Sequence, residues 1–231
     1  GCGRERTKED RCSFANNITP QCDRRADVLK LVNDVLSGDQ QYVHYMRNIL
    51  GYCLTGHISE RAIFLAVGDG RNGKSTMLSD VMNSVMGNSF SAISSCVVMN
   101  SKEAQAGAAT SHLETLKTAR MGVFTETGNG SPENGNKCYV DSGSVKRLTG
   151  NDFIQSRANY GNERKCKFPT KIWVLTNHPP KIDVEDPAIV DRIIYLPFEA
   201  LFENTVQTRR YVESLKEPSF INNFFSWLIE G

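Results

Sequence analysis

The chain has 231 residues, 39% of them hydrophobic, with 27 Lys plus Arg against 26 Asp plus Glu. That length suits one α/β domain with helical additions, and the formal charge of +1 excludes a global basic field, so any nucleic-acid surface has to be local. Seven cysteines, odd in number and without a CxxC pair, argue against structural zinc and a disulfide framework and fit a reducing, intracellular setting; no apolar run reaches membrane-spanning length and no signal peptide is visible, so no membrane partner is expected.

Residues 1–23 are charged and aperiodic, which reads as a linker or frayed end, and the opening Gly in place of Met reads as an excised piece of a longer protein. Residues 24–58 carry two helical patterns. Val28, Leu29, Leu31, Val32, Val35 and Leu36 stop at Gly38; Tyr42, Val43, Tyr45, Met46, Ile49, Leu50, Cys53 and Leu54 stop at Gly56. The unbroken apolar run Ala62 to Val67 then predicts a strand covered on both faces. It leads into Gly68-Asp-Gly-Arg-Asn-Gly-Lys-Ser75, a full match to GxxxxGK[ST]. Gly68, Gly70 and Gly73 let the backbone curl so that its N–H groups face phosphates, Lys74 supplies a point charge to the β and γ groups, and Ser75 offers a hydroxyl to magnesium. Met77, Leu78, Val81, Met82, Val85 and Met86 follow at helical spacing, with Gly87 at the stop. Motif and flanks together predict a nucleoside triphosphate site over Gly68, Asp69, Gly70, Arg71, Asn72, Gly73, Lys74, Ser75 and Thr76.

Four more short apolar runs, Ile93 to Met99, Met121 to Phe124, Ile172 to Leu175 and Ile193 to Leu196, bring the expected strands to five, in a mainly parallel sheet with helices on both faces and ligand at its carboxyl edge. Residues 129–137, rich in Gly, Asn, Ser and Pro, predict an exposed loop. Hydrolysis needs groups that position water and stabilise charge, so polar residues at strand ends are the candidates. Glu126 stands just past the third run; it could orient or deprotonate water, help hold magnesium, or be an ordinary solvated carboxylate. Asn177 closes the fourth and could bond the γ-phosphate and the lytic water, or serve as a turn residue before Pro179 and Pro180. Arg192 precedes the fifth and alone would read as a surface ion pair.

Between Asp152 and Trp173, alternation over Phe153 to Arg157, a break at Asn159 to Asn162 and resumption over Lys165 to Phe168 predict a hairpin. Arg157, Arg164, Lys165, Lys167 and Lys171 oppose only Glu163 there, a local charge of +4. Trp173, Trp227, Phe220, Phe224, Phe225, Leu228 and Ile229 are expected in the core, the last six on a final helix. His44, His57, His112 and His178 show no metal spacing.

The segments Gly51 to Gly56, Gly68 to Thr76, Val123-Phe-Thr-Glu-Thr127, Val145-Lys-Arg-Leu-Thr-Gly-Asn-Asp152, Gln155-Ser-Arg157, Val174-Leu-Thr-Asn-His178 and Asp191-Arg-Ile-Ile-Tyr-Leu-Pro-Phe198 run in one order over roughly residues 25–231. In that order the chain resembles the superfamily 3 helicase domain, an AAA+ variant, of the type found in poxvirus-like and phage primase–helicases. The resemblance implies an AAA+ type P-loop NTPase: a helical module over 24–58, a core over 59–199 and a C-terminal helical segment over 200–231. It implies ATP and Mg2+ as cofactors, Lys74 and Ser75 on phosphate and metal, Glu126 as the Walker B acid, Asn177 as the sensor and Arg192 as a finger reaching a neighbouring subunit's ATP. Thr127 stands where the family has a second acidic residue. The family's hairpin enters a ring channel, which makes Tyr160, Arg164 and Lys165 candidates for single-stranded DNA, with Lys146 and Arg157 as motif residues of DNA, nucleotide or interface contact. The implied whole is a replicative DNA helicase acting as a hexameric homo-oligomer, with an upstream primase and other replication proteins, in host cytoplasm or nucleus. A P-loop small-molecule kinase and a nucleotide-gated DNA-binding or assembly module are the alternatives.

Overall fold

The computed structural model describes residues 18–94, 97–98, 111–125, 139–157 and 163–231. Its centre is a five-stranded, wholly parallel sheet formed by β1 (Ile63–Val67), β2 (Phe90–Ala92), β3 (Met121–Thr125), β6 (Lys171–Thr176) and β7 (Ile193–Pro197), in the order β2-β3-β6-β1-β7. A separate antiparallel hairpin, β4 (Ile154–Arg157) and β5 (Glu163–Cys166), interrupts the crossover from β3 to β6 and pairs Gln155 with Lys165. The five expected strands are present with one shift. The second lies at Phe90–Ala92, upstream of the Ile93–Met99 run. Ile93 extends the ladder by donating to the Val123 carbonyl at 2.9 Å, and Val97 then turns back to Ser94 O at 3.1 Å, so Val97 and Val98 fill the core from a turn.

Alternation along the central strands splits the core into two layers. Phe64, Ala66, Trp173 and Leu175 face one side; Ile63, Leu65, Val67, Ile172 and Val174 face the other. The first side is covered by α1 (Arg25–Val35), α2 (Gln40–Cys53), the helix after the loop and α7 (Pro218–Ile229), which share one apolar cluster with the sheet. Trp173 stacks on Phe64 at 4.7 Å between centroids and donates its Nε1–H to Cys53 Sγ at 3.3 Å, tying α2 to the middle of the sheet. Burial pushes the Cys53 thiol up to about 12, so it is a packed, protonated group. Asn223 of α7 accepts from Arg24 N at 2.8 Å and donates to Asp23 at 2.9 Å, so chain segments near both ends are knitted together. Ile229, expected in the core, is instead 49% exposed, and Tyr45 of the second helical pattern is 45% exposed. Among the described residues no helix is long and apolar enough to cross a membrane.

The helix after the loop opens as a π-helical stretch, Thr76–Val81, before the α-helical α3 (Met82–Met86), and Gly87 ends it with φ +50°. Its buried pairs recur every four residues, longer than the α repeat of 3.6; the wider π turn keeps Met77/Leu78, Val81/Met82 and Val85/Met86 on one face.

At the amino-terminal edge of β6, Lys171 is 2% exposed. Its Nζ donates to the carbonyl of Thr55 and sits 4.7 Å from the Tyr52 ring centroid. Burial dominates and lowers its pKa from the ordinary 10.5 to about 8. Below pH 8 the folded chain carries the full desolvation penalty; between about 8 and 10.5 the unfolded chain binds more protons, so stability rises with pH. Lys171→Met should flatten that rise, which is on the order of 3 kcal/mol. Denaturation midpoints of parent and variant at several pH values from 7 to 10.5 measure it, and parallel curves would refute the assignment.

Candidate functional site

The phosphate loop hangs on the carboxyl end of β1, where β6 and β7 end level with it: Val67 is in register with both Thr176 and Pro197. Gly68 donates to Thr176 O at 3.3 Å. A Cβ on Gly68 would lie 2.1 Å from the Phe198 carbonyl oxygen, so no larger residue fits. Gly73 takes φ +76° against the side chain of Val35 in α1. Gly70 has neither constraint, and the other left-handed turn falls on Arg71, φ +65°. The curl expected of three glycines is thus made by Gly68, Arg71 and Gly73. Arg71 O accepts from Phe202 N at 2.8 Å, and the buried Asn72 donates to Phe198 O at 3.2 Å and accepts from Lys74 N at 3.2 Å. The Asn72 side chain is therefore a strut of the loop. Phe198, Phe202 and Val35, which shape the loop from behind, are long-range partners that no local motif announces.

Lys74 is buried, 4% exposed, with Nζ 2.7 Å from Gly68 O, 3.0 Å from Thr176 O and 3.4 Å from Asn177 Oδ1. The structure thus brings Lys74 and Asn177 together from the loop and the end of β6. Burial lowers the Lys74 pKa below the usual lysine value, and Asp69 pulls it back up. Among the described residues its hydrogen-bond partners are neutral oxygens, a setting in which an arriving anion gains strongly from the ammonium. Ser75 is exposed and makes no capping bond to its helix, which leaves its hydroxyl open to a metal or a phosphate. β3 ends at Thr125, beside Leu175, on the same edge; Glu126 lies outside the described residues. Among the described residues no cluster of three His, Cys, Asp or Glu side chains forms a metal site by itself.

Beside the loop opens a cavity of about 400 Å³, walled by Val35, Arg71, Gly73, Thr76, Phe202 and Tyr211, among others. Tyr211, on α6 (Val206–Ser214), has its hydroxyl buried without a partner among the described residues. The volume falls within the range of small-molecule sites.

Arg192 lies at the opposite edge. Its carbonyl accepts from Ile63 N at 2.8 Å, at the start of β1. Five residues of parallel strand separate that edge from the loop, about 16 Å at roughly 3.3 Å per residue. Its Nη1 donates to the Ala188 carbonyl in α5 (Pro187–Val190), while Nε is buried without a partner among the described residues.

The basic hairpin forms as expected. Ile154 and Phe168 root it in the core, and it feeds through Thr170 into the start of β6, the edge where Arg192 lies. Lys165 is exposed, as is Lys167, whose Nζ sits 4.9 Å from the Phe153 ring centroid. Arg157 and Arg164 occupy β4 and β5; Tyr160 falls outside the described residues. Lys171 is buried and so leaves the basic surface counted in the sequence. Lys146 sits on α4 (Ser142–Thr149), paired with Asp186.

This is an α/β domain of the P-loop NTPase type, with the phosphate loop at the carboxyl edge of a five-stranded parallel sheet. Residues 66–192, more than half of the chain, match the model of DUF5906, described as a family of unknown function, and the chain belongs to that family. It is 24% identical over 229 residues to a protein of Acanthamoeba polyphaga mimivirus, L207/L206, named as a candidate helicase; the match takes in 97% of this chain and 23% of that protein's length. Among solved structures it is similar to the apo NrS-1 C-terminal region, TM-score 0.66 at 11% identity over 92% of this chain and 47% of that one. It is also similar to the JCV helicase, TM-score 0.54 at 15% identity over 89% and 53%. The chain thus spans about a quarter of the curated relative and about half of each solved one, and at these identities the solved structures speak for the fold.

Proposed function

We propose that the chain is the ATPase motor of a superfamily 3, AAA+ type DNA helicase, which couples ATP hydrolysis to movement along single-stranded DNA in a hexameric ring. The observation that carries this reading is the opposition of Arg192 and the phosphate loop across the sheet. At about 16 Å, an arginine cannot serve its own chain's phosphates; set against a second copy it can serve that copy's. The mimivirus relative's name and the likeness to the JCV helicase support the same reading.

In this mechanism Lys74 leaves the carbonyls of Gly68 and Thr176 for the β- and γ-phosphates, and the cavity walled by Phe202 seats base and ribose. Ser75 and Glu126 would hold Mg2+, which would supply neutralisation of phosphate charge when bound. Asn177 orients the water and Glu126 takes its proton as the water oxygen bonds to the γ-phosphorus. The bond from the γ-phosphorus to the bridging oxygen breaks, ADP leaves with that electron pair, and Arg192 of the adjoining copy stabilises the charge on the transferring group. The basic hairpin, with Lys165 exposed, holds the strand, with Tyr160, Arg157 and Arg164 nearby in sequence. An upstream primase and further replication proteins complete the proposed assembly in the host cell.

Turnover should rise with protein concentration and with single-stranded DNA, and Arg192→Ala should lower it by about 10³-fold or more. Concentration-independent, DNA-indifferent turnover would point instead to a small-molecule kinase or a binding module. Lys165→Ala should weaken single-strand binding and flatten its log–log salt slope by about 0.7; an unchanged slope in a salt titration removes the hairpin from the DNA path. Phe202→Ala should raise KM for ATP about tenfold at constant kcat, and steady-state kinetics with KM unmoved would remove the cavity from the nucleotide site.

A further inference from the structure

The role of Lys146 follows from what it touches. On α4 its carbonyl accepts from Gly150 N at 2.9 Å, closing the helix just before Asn151, φ +61°, turns the chain into the basic hairpin. Its ammonium pairs with Asp186, which is no isolated surface acid. Asp186 is the N-cap of α5, accepting at Oδ1 from Ala188 N at 3.1 Å, and its carbonyl receives Ile189 N at 3.0 Å. Ile189 is fully buried and pins that short helix to the core. The Ala188 carbonyl, one peptide from the capped N–H, is the acceptor that holds the Arg192 guanidinium. Among the described residues Arg192 Nε has no partner, so the Nη1 contact with the Ala188 carbonyl sets where the guanidinium points.

We propose that Lys146 is a positioning residue: through Asp186 and α5 it fixes Arg192 for the neighbouring copy's nucleotide, and it links that finger to the hairpin that follows α4. The inference rests on the finger role assigned to Arg192 above. The ion pair is suited to this task because it is partly exposed, 38% and 24% at its two side chains, where such pairs add little to stability and can fix geometry without holding up the fold. A displacement of the guanidinium by about 1 Å costs on the order of 10²-fold in rate, so a weak contact can carry a large kinetic effect. Placing Lys146 between hairpin and finger also gives a strand held in the hairpin a covalent and ionic route to Arg192.

The test is a double-mutant cycle on the assembled protein, with Lys146→Gln, Arg192→Ala, both together, and Lys146→Arg. The readouts are DNA-stimulated kcat, KM for ATP, single-strand affinity against salt, and thermal midpoint. Lys146→Gln should lower stimulated kcat by about 10- to 100-fold at unchanged KM, DNA salt slope and thermal midpoint. It should add nothing to Arg192→Ala, and Lys146→Arg, which keeps the charge, should retain most of the activity. Additive losses in the cycle would overturn the route through Arg192, and a lowered salt slope would make Lys146 a DNA contact instead. Full activity in Lys146→Gln beside a collapsed Arg192→Ala overturns this inference alone, whereas full activity in Arg192→Ala overturns the finger and this inference with it.

Discussion

The parallel register of β6, β1 and β7 is the constraint on which the rest of this molecule depends. Because all the strands of the sheet run one way, its two edges cannot be equivalent. One edge collects the strand ends, and there Gly68, Lys74, Thr176 and Asn177 meet within hydrogen-bonding distance. The other collects the strand starts, and there Lys171, Arg192 and the root of the hairpin are found. No side-chain choice alone could keep Arg192 away from the loop; the direction of β7 does so. A strand pairing that reversed β7 would bring Pro197 to the opposite edge and dismantle the Phe198 contacts that close the loop from behind.

That constraint also explains why the helical elements at the two ends of the chain belong to the same body as the sheet. The loop is not self-sufficient. Gly73 packs on Val35 of α1, Arg71 is held through Phe202, and Tyr42 of α2 donates to the carbonyl of Pro197 at 3.0 Å. Phe220, Phe224 and Trp227 of α7 enter the same apolar cluster as Trp173 of the central strand. Burial of aromatics of this size contributes roughly 3–5 kcal/mol each when measured by truncation, so the layer that positions the loop is among the firmest parts of the chain.

How much of this the sequence disclosed follows from the range of the forces concerned. The phosphate loop was legible because its constraints are local: a backbone that must turn left and approach its neighbours closely writes glycine into fixed positions. Even so, Gly70 meets no such demand and Arg71 carries one of the turns. The central strands were legible because burial on both faces leaves an unbroken apolar run. That signal misplaced β2: the edge strand Phe90–Ala92 is only partly buried, whereas Val97 and Val98 are buried without being strand. Apolar runs report burial, and burial coincides with strand only in the middle of a sheet. Lys171 shows the complementary failure, a charge that reads as surface and lies beneath Tyr52. The pairing of Lys146 with Asp186 spans 40 residues and had no sequence signal at all.

Lys74 and Arg192, finally, are two cations whose hydrogen-bond partners, among the described residues, are neutral oxygens, at opposite edges of one sheet. Lys74 is held by neutral oxygens in a buried site that lowers its pKa. Among the described residues Arg192 has one carbonyl for a five-donor group and a buried Nε with none. Each is a cost to the isolated fold: Lys74 is a buried charge bonded only to neutral oxygens among the described residues, and the buried Arg192 Nε is a donor without an acceptor there. A polyanion bound at the loop would satisfy the first, and the same polyanion on an adjoining copy would satisfy the second. In the proposed ring one triphosphate therefore relieves both deficits at once, in two different chains. A cation satisfied only when a neighbour is loaded and correctly seated couples the packing of copies to the chemistry, with no moving part beyond a side chain.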